Sequence, residues 1–600
     1  MTTQYRKLSQ DEIERLERQG NDAEDWGAIL VSEPFCVESV RNNTFEGAVT
    51  LGAIASAHRT DEGLMLREGI YHATLRDAIV GDHPTIHNVG MLSGYVLGDN
   101  VLLFNVEEMT ASTDPHQLAW LEPMNENGGR KILPFSGMTI GDAYLWARYR
   151  GHKKLIERLE QFTHATLSSQ EGRRGRVGDY CVIKNTKLIR NVAVCSSSKD
   201  PSRIDSCITL CDGVVGSGCT LEYGVIAVRF LLGEHVHLEF GLRLNDTVVG
   251  DNSTLARCEV GNSIIFPAHE QHHNNSFLIA GLIMGQSNIA AGGTIGSNHN
   301  SRTADNELAA GRGFWPGLCC SFKHSSRFSS YCLLAKADYP SELDIKLPFS
   351  LVNNNVSKDQ LEVMPAYWWM YNMYAMDRNS KKFAKRDKRV TKSQHIEFDN
   401  LAPDTAEEIL HGMELLKGWI KRAEDGPVYA EGMEKSKRRT LILKPVEGLR
   451  AYEEMLIFYA MKYLTLAYGD ALPPKALAQE PRQTEWVNLG GQLVAAPDVE
   501  AMIADVEKGI IDSWKSLNDR LDHLWESYPQ QRDAHAYHIL CTLSGVDYLD
   551  EALWQQFKTR FVEIQDYIEV QKQVTRQKDD TNPFRNMTYW DTAERDAVLS

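Results

Sequence analysis

Short hydrophobic segments return at a nearly constant interval in two regions of this chain. From 80 to 97, from 215 to 232 and from 232 to 249, an aliphatic residue followed by glycine recurs after 17 residues. Three faces of about six residues would close one coil of this length, with the aliphatic side chain inside and glycine or aspartate at a corner of strained φ. The pattern predicts a parallel β-helix, and an irregular antiparallel β-domain with glycine-rich turns is the alternative. The repeated pairs are Val80-Gly81, Leu97-Gly98, Val177-Gly178, Val215-Gly216, Leu232-Gly233, Val249-Gly250, Val260-Gly261 and Ile295-Gly296.

The repeats divide the chain into five predicted regions. Residues 1–35 form an N-terminal helix and lead-in, 36–109 the first part of the β-helix, and 110–176 a helical insertion in which apolar residues return at helical spacing. The β-helix resumes over 177–353, and 354–600 is a predicted α-helical domain. Amphipathic patterns predict its helices at 365–376, 403–423, 446–468, 499–528 and 549–576, with 488–497 separating two helix groups.

Composition narrows the class of protein. The 600 residues include 64 Lys and Arg against 81 Asp and Glu, and a net charge of -17 argues against nucleic acid or an anionic membrane as the partner. The N-terminus lacks an apolar signal core, and no apolar run is long enough to predict a membrane span, so we expect a cytoplasmic protein. The 11 cysteines lack regular spacing, which favours reduced, mostly buried thiols.

The repeats resemble a known fold. Residues 36–109 and 175–345 are similar to the left-handed β-helix of the hexapeptide-repeat superfamily. The length of 600 residues and the order of the regions also resemble a little-characterised Bacteroides-type family with a helical C-terminal domain. The resemblance implies a homo-oligomer, with a trimer favoured, in which ligand clefts lie between neighbouring prisms.

The candidate catalytic residue follows from that resemblance. Asn298-His299 is similar to the Asn-His pair that hexapeptide acyltransferases place before a loop leaving the coil, and residues 303–314 are such an excursion. The likeness implies that His299 is a general base, which takes a proton from a hydroxyl or amine as this group attacks a thioester. Glu270 is predicted to orient His299, with Glu307 as the alternative. The predicted substrate contacts are His272, His273, Asn275, Asn298, Arg302, Arg312, Trp315 and Lys323.

A second candidate site is the segment Gly128-Gly129-Arg130-Lys131. The glycines would let backbone N–H groups approach a phosphate, and the two cations would add charge. The segment resembles the glycine-rich loop of sugar nucleotidyltransferases, and a solvent-exposed turn is the alternative. The basic run 381–389 is either a diphosphate contact or a solvated face.

These observations favour a transferase that acts on a sugar or phosphosugar, with acyl transfer from a CoA or carrier-protein thioester as one form. The predicted partner is a small molecule: a sugar, a sugar phosphate or a nucleotide sugar. We expect no tightly bound cofactor, and acyl-CoA is a possible co-substrate. The alternatives are a structural scaffold, a nucleotide-sugar or sugar-phosphate binding protein without turnover, and a metal-dependent hydratase of the gamma-carbonic-anhydrase type. No metal is predicted, because the histidine spacing of that family is missing among His235, His237, His269, His272 and His273.

Overall fold

The structure is a computed structural model that describes residues 4–112, 119–169, 175–296, 307–578 and 582–599. Within these ranges the chain forms a parallel β-solenoid of about 18 turns and a helical C-terminal region. A helical insertion interrupts the solenoid. The predicted fold class is confirmed, and the antiparallel alternative is wrong.

Short strands build the solenoid. Before the insertion they are Arg6–Lys7, Asp22–Ala23, Ile29–Val31, Val40–Arg41, Thr44–Glu46, Val49–Leu51, Gly69–Arg76, Ile79–Val80, Thr85–Ser93, Val96–Leu97 and Leu102–Thr110. After it they are Arg176–Val177, Val182–Lys184, Leu188–Val194, Arg203–Asp205, Thr209–Val215, Thr220–Glu222, Ile226–Leu232, His237–Glu239, Arg243–Val249, Thr254–Ala256, Glu259–Gly261, Ile264–Ile265, Glu270–Gln271, Phe277–Ile279, Gly281–Ile283, Thr294–Ile295, Leu308–Ala310, Trp315–Pro316, Ser321–Phe322, Arg327–Phe328, Leu333–Leu334, Asp338–Tyr339, Asp344–Ile345 and Leu351–Asn355. The remaining strands are His58–Asp61, Leu64–Arg67, Gln360–Met364, Tyr429–Ala430, Thr440–Ile442, Trp486–Leu489 and Gln492–Ala495.

Successive coils are stacked at the interval that the sequence predicts. Ile226 pairs with Thr209 of the preceding coil and with Arg243 of the following one, a step of 17 residues each way. Three non-glycine residues of each coil have positive φ, at 229, 235 and 240 in one coil and at 246, 252 and 257 in the next. Each of these coils therefore has three corners. Aliphatic residues in register fill the interior, such as the fully buried Leu221, Leu238 and Leu255.

Gly216 and Gly233 are required for close packing between coils, and not for the strained φ that the sequence predicts. Gly216 and Gly233 lie outside the left-handed region, and the left-handed residue comes two positions later, at Gly218 and His235. A Cβ atom on Gly216 would lie 2.1 Å from the carbonyl oxygen of Gly233 in the next coil. Gly216 and Gly233 are needed because neighbouring coils approach closely, and the expectation of strained φ is wrong for both. It holds at Gly296, whose φ is +85°.

The insertion leaves the stack without disturbing its register. Leu102, before the insertion, pairs directly with Val182, after it. The insertion packs on a second hydrophobic core outside the solenoid interior, in which Val214, Leu231 and Val248 are in register and buried. This stripe holds the insertion against the solenoid wall.

The described residues form twelve α-helices. They are α1 Gln10–Arg18, α2 Ile140–Arg148, α3 Lys153–Ser168, α4 Tyr367–Tyr371, α5 Met373–Arg386, α6 Pro403–Ala423, α7 Pro445–Tyr468, α8 Ala496–Lys508, α9 Trp514–Ser544, α10 Glu551–Gln577, α11 Pro583–Asn586 and α12 Thr592–Leu599. Three of the predicted helices agree with α6, α7 and α10 to within two residues at each end.

Two predicted helices are each divided in the structure. Residues 499–528 belong to α8 and α9, because Gly509 caps α8 in the left-handed conformation and Ser513 begins α9. Residues 365–376 are shared by α4 and α5, and α5 continues into the basic run as far as Arg386. Helix α9 also continues through Pro529, which is usually unfavourable inside a helix, and the flanking residue Tyr528 is buried.

A β-hairpin stands where the sequence was expected only to separate two helix groups. Strands Trp486–Leu489 and Gln492–Ala495 pair antiparallel around Gly490 and Gly491. Two glycines between apolar runs are a typical hairpin signal, because both positions require positive φ. Gly490 and Gly491 are therefore a local sequence signal for this hairpin.

No helix among the described residues is long and apolar enough to cross a membrane. All eleven cysteines lie in the described ranges and are unpaired, and seven of them are buried, as the sequence predicts.

The close approach of the coils leads to a test by substitution. We expect Gly216→Ala to lower the free energy of unfolding by about 3 kcal/mol, because its Cβ would overlap the backbone of the next coil. Gly241→Ala should cost only about 1 kcal/mol, since Gly241 has positive φ but open space around it. Urea unfolding of both variants measures the difference, and equal losses would contradict this role for Gly216.

Candidate functional site

A cleft of about 590 Å³ lies where the solenoid, the insertion and the helical region meet. Each of these elements supplies part of its lining. The residues are Tyr144, Arg148, Tyr149, Gly151 and His152 from the insertion, Met284, Arg312 and Ser330 from the solenoid, Asp404 and Glu408 from α6, and Trp486, Val487 and Asn488 from the hairpin.

Arg312 lines the cleft and is almost completely buried. Its guanidinium group donates two hydrogen bonds to Asp404, from Nε at 2.9 Å and from Nη2 at 2.7 Å, and a third to the carbonyl oxygen of Asp399 at 2.7 Å. The Arg312 residue is only 2% exposed. The sequence predicts Arg312 as a substrate contact, and in this structure its charge is directed to Asp404.

Glu408 lies one helical turn after Asp404 on the wall of the same cleft. One carboxylate oxygen accepts a hydrogen bond from the backbone N–H of Ser330 at 2.9 Å. Burial raises the pKa of Glu408 to about 7, and the negative charge of Asp404 adds to this effect. Near neutral pH, both the protonated and the ionised forms of Glu408 are therefore present, which suits a group that transfers protons.

Positive charge lies at the rim. The Arg148 side chain is about half exposed, and its Nη1 atom lies 3.9 Å from the Glu307 carboxylate. Arg130 Nη2 lies 3.0 Å from the same carboxylate. Arg130, from the predicted phosphate segment, therefore shares the Glu307 carboxylate with Arg148, which lines the cleft.

The rest of the phosphate segment is directed elsewhere. The N–H group of Gly129 donates to the Glu122 side chain at 3.1 Å, and that of Gly128 donates to the carbonyl oxygen of Asn125 at 3.0 Å. The ammonium group of Lys131 lies over the ring of Trp120, 4.4 Å from its centre. In this structure, the N–H groups of Gly128 and Gly129 and the ammonium group of Lys131 therefore all contact other groups of the protein.

The other predicted site residues that the structure describes do not line this cleft. Glu270 and Trp315 line a smaller cavity of about 30 Å³, where Lys382 and Arg386 pair with the Glu270 carboxylate at 2.5 and 2.8 Å. Lys323 lies 3.9 Å from Glu342. His272 lies beside His273, which is exposed, as is Asn275. Asn298, His299 and Arg302 lie outside the described residues.

The solenoid histidines have separate partners. His269 is fully buried between Ser287 and Gln271, and burial lowers its pKa to about 4. His235 Nε2 lies 3.0 Å from Asp200. Across the described ranges, no group of three or more His, Cys, Asp or Glu side chains is arranged to hold a metal ion.

The sequence reasoning missed Asn488, Glu408 and the aromatic residues of the cleft. Tyr144 and Tyr149 stand on and just after α2, and Trp486 begins the hairpin. Burial raises the pKa of Tyr149 to about 12, so its hydroxyl stays protonated. The Gly-Gly hairpin signal was the one local feature that pointed to Trp486 and Asn488.

The fold and the cleft define a β-solenoid protein whose helical elements enclose a polar site. The profile of the family described as "Domain of unknown function (DUF4954)" matches residues 5–419, and the chain belongs to this family. The chain is also 40% identical over 656 aligned residues to a protein of Treponema pallidum (strain Nichols) with the printed name "Uncharacterized protein". That alignment covers 99% of this chain and 90% of the relative.

The raised pKa of Glu408 predicts a pH-dependent stability. Because the folded state binds this proton more tightly than the unfolded state, the contribution is complete below about pH 4.5 and is lost as the pH rises through about 7. Glu408→Gln imitates the protonated carboxyl group. We expect this variant to be more stable than the wild type by about 3 kcal/mol at pH 8 and by less than about 1 kcal/mol at pH 5.

Urea unfolding between pH 5 and pH 8 measures this difference. Glu414→Gln is the matched control, since Glu414 is exposed on the same helix. A constant difference between Glu408→Gln and the wild type at all pH values would show that Glu408 does not titrate in this range.

Proposed function

We propose that this protein is a transferase acting on a sugar or phosphosugar and that the cleft is its active site. The observation that carries the proposal is the cleft of about 590 Å³, which Glu408 lines together with Asp404. Burial there raises the pKa of Glu408 to about 7. A general base is most effective when its pKa lies near the working pH.

The chemistry of the lining supports a sugar ligand. Tyr144, Tyr149 and Trp486 offer flat apolar surfaces to the faces of a sugar ring, while Asp404 and Glu408 offer carboxyl oxygens to its hydroxyl groups. The Arg148 side chain is about half exposed beside Glu307, which supports a contact of its guanidinium group with a phosphate.

In the acyl-transfer form of the proposal, Glu408 accepts the proton of a substrate hydroxyl group. The hydroxyl oxygen then forms a bond to the acyl carbon of a thioester, the carbon–sulfur bond breaks, and the proton passes to the sulfur of the leaving thiolate. Acyl-CoA or an acylated carrier protein is the proposed donor. The hydrogen bond from Ser330 keeps the Glu408 carboxylate in place.

His299 is the second candidate for the base. The likeness to hexapeptide acyltransferases supports this role, and His299 itself lies outside the described residues.

The proposal extends to assembly and location. We propose a homotrimer, as the likeness to hexapeptide-repeat proteins implies, and light scattering of the purified protein would measure its mass. Eleven unpaired cysteines suit a reducing compartment, which supports the proposed location in the cytoplasm.

Ligand screening tests the proposed substrate class. We expect sugar phosphates, nucleotide sugars or acyl-CoA to raise the Tm of the wild-type protein, since a ligand at about 100 times its Kd stabilises by about 2.7 kcal/mol. No shift with any of these compounds would count against the proposal. A shift without turnover would favour the sugar-phosphate binding protein.

Turnover of a substrate from that screen then identifies the base. We expect Glu408→Gln to lower kcat about 100-fold or more, because a general base contributes at least this factor. Glu414→Gln should match the wild type. If only His299→Ala reduces kcat, His299 is the base and the role proposed for Glu408 is wrong.

A further inference from the structure

Asn488 lines the cleft and carries a buried hydrogen-bond donor that no described residue accepts from. The residue is 7% exposed and lines the cleft from the second-to-last position of strand Trp486–Leu489. Its Oδ1 atom accepts a hydrogen bond from the Gly491 N–H at 2.7 Å. Its Nδ2 atom is buried and has no partner among the described residues.

The orientation of the Asn488 amide is determined by its surroundings. If the amide were turned over, the Nδ2 donor would face the N–H donor of Gly491, and the one hydrogen bond of this side chain would be lost. The Nδ2 donor is therefore left without an acceptor among the residues that the structure describes. A buried donor without an acceptor is unfavourable for folding, and a ligand oxygen in the cleft would remove that penalty.

The backbone around Asn488 is held firmly. The Gln394 side chain donates to the carbonyl oxygen of Leu489 at 3.0 Å and accepts from the N–H of Gly141, the second residue of α2, at 2.8 Å. Gly490 packs so closely that a Cβ atom there would lie 2.4 Å from the nitrogen of Gly141. These contacts join the hairpin to the insertion and leave the Asn488 donor in a set position.

We infer that Asn488 recognises a hydroxyl oxygen of the sugar part of the ligand and so makes the cleft selective for sugars over phosphate alone. The inference rests on the proposed function and names the sugar hydroxyl group as the part of the ligand that Asn488 binds. A hydroxyl group can accept from Asn488 and donate to a carboxylate of the same cleft, such as Asp404 or Glu408. A phosphate would meet the negative charge of these carboxylates and is better placed at Arg148.

The test compares three probes by isothermal titration calorimetry: glucose, glucose 1-phosphate and inorganic phosphate. The variant is Asn488→Asp, which keeps an oxygen for Gly491 and replaces the donor by an acceptor. We expect its affinity for glucose and glucose 1-phosphate to fall about tenfold or more, because a buried polar group loses its partner. Its affinity for inorganic phosphate should change less than about twofold.

Two further variants control the comparison. Arg148→Gln should weaken both phosphate-containing probes and leave glucose unchanged. Asn88→Asp makes the same chemical change at an exposed site in the first part of the solenoid and should alter none of the three affinities. Circular dichroism and Tm establish that each variant is folded.

The outcomes separate this inference from the proposed function. If Asn488→Asp binds glucose 1-phosphate as tightly as the wild type, the inference is overturned while the proposed sugar site remains. An equal loss for all three probes also overturns it. If the wild type binds none of the probes, the inference fails, and the proposed function fails with it only if nucleotide sugars and acyl-CoA also leave the Tm unchanged.

A crystal structure of the wild-type protein with glucose 1-phosphate keeps the inference testable even if Asn488→Asp does not fold. We expect a sugar oxygen at about 2.7–3.2 Å from Nδ2 of Asn488. A ligand seated in the cleft with no oxygen within hydrogen-bond distance of this atom would overturn the assignment.

Discussion

The ion pair between Arg312 and Asp404 holds the helical region against the solenoid, and the cleft depends on it. Arg312 extends from a solenoid coil and Asp404 from the first turn of α6, and the pair is largely removed from water. Desolvating two charges is unfavourable unless their remaining donors and acceptors are also satisfied, and here Asp399 accepts a further Arg312 hydrogen bond. Because Glu408 lies one turn beyond Asp404, the contact that docks α6 also places Glu408 on the cleft wall.

The same ion pair determines the electrostatics of the site. Arg312 is committed to Asp404, so it offsets only part of the burial that raises the pKa of Glu408. The cleft lining therefore includes the carboxyl groups of Asp404 and Glu408 together with the half-exposed Arg148, which shares Glu307 with Arg130. In the proposed complex this division directs neutral hydroxyl groups inward. A phosphate stays at the rim, where it keeps part of its hydration.

Regular features of the chain could be predicted from the sequence, and features set by contacts between distant segments could not. The step of 17 residues predicted the stacked coils, and amphipathic periodicity predicted α6 at 403–423. The role of Gly216 was misjudged, because its requirement comes from Gly233 in the next coil and not from its own φ. Glu408 could not be distinguished from other helix carboxylates, since its pKa depends on Asp404, Ser330 and the burial that docking creates.

The origin of the cleft explains why no local motif marks it. A stack of similar coils presents walls that run along the solenoid, and enclosing a ligand requires other elements to stand out from such a wall. Here the insertion contributes aromatic rings, α6 contributes carboxylates, and the hairpin contributes an amide, at positions 144–149, 404–408 and 486–488. Because each segment supplies one kind of group, the site chemistry appears only after the segments pack together. The solenoid then acts as the common support that keeps these groups at fixed distances from one another.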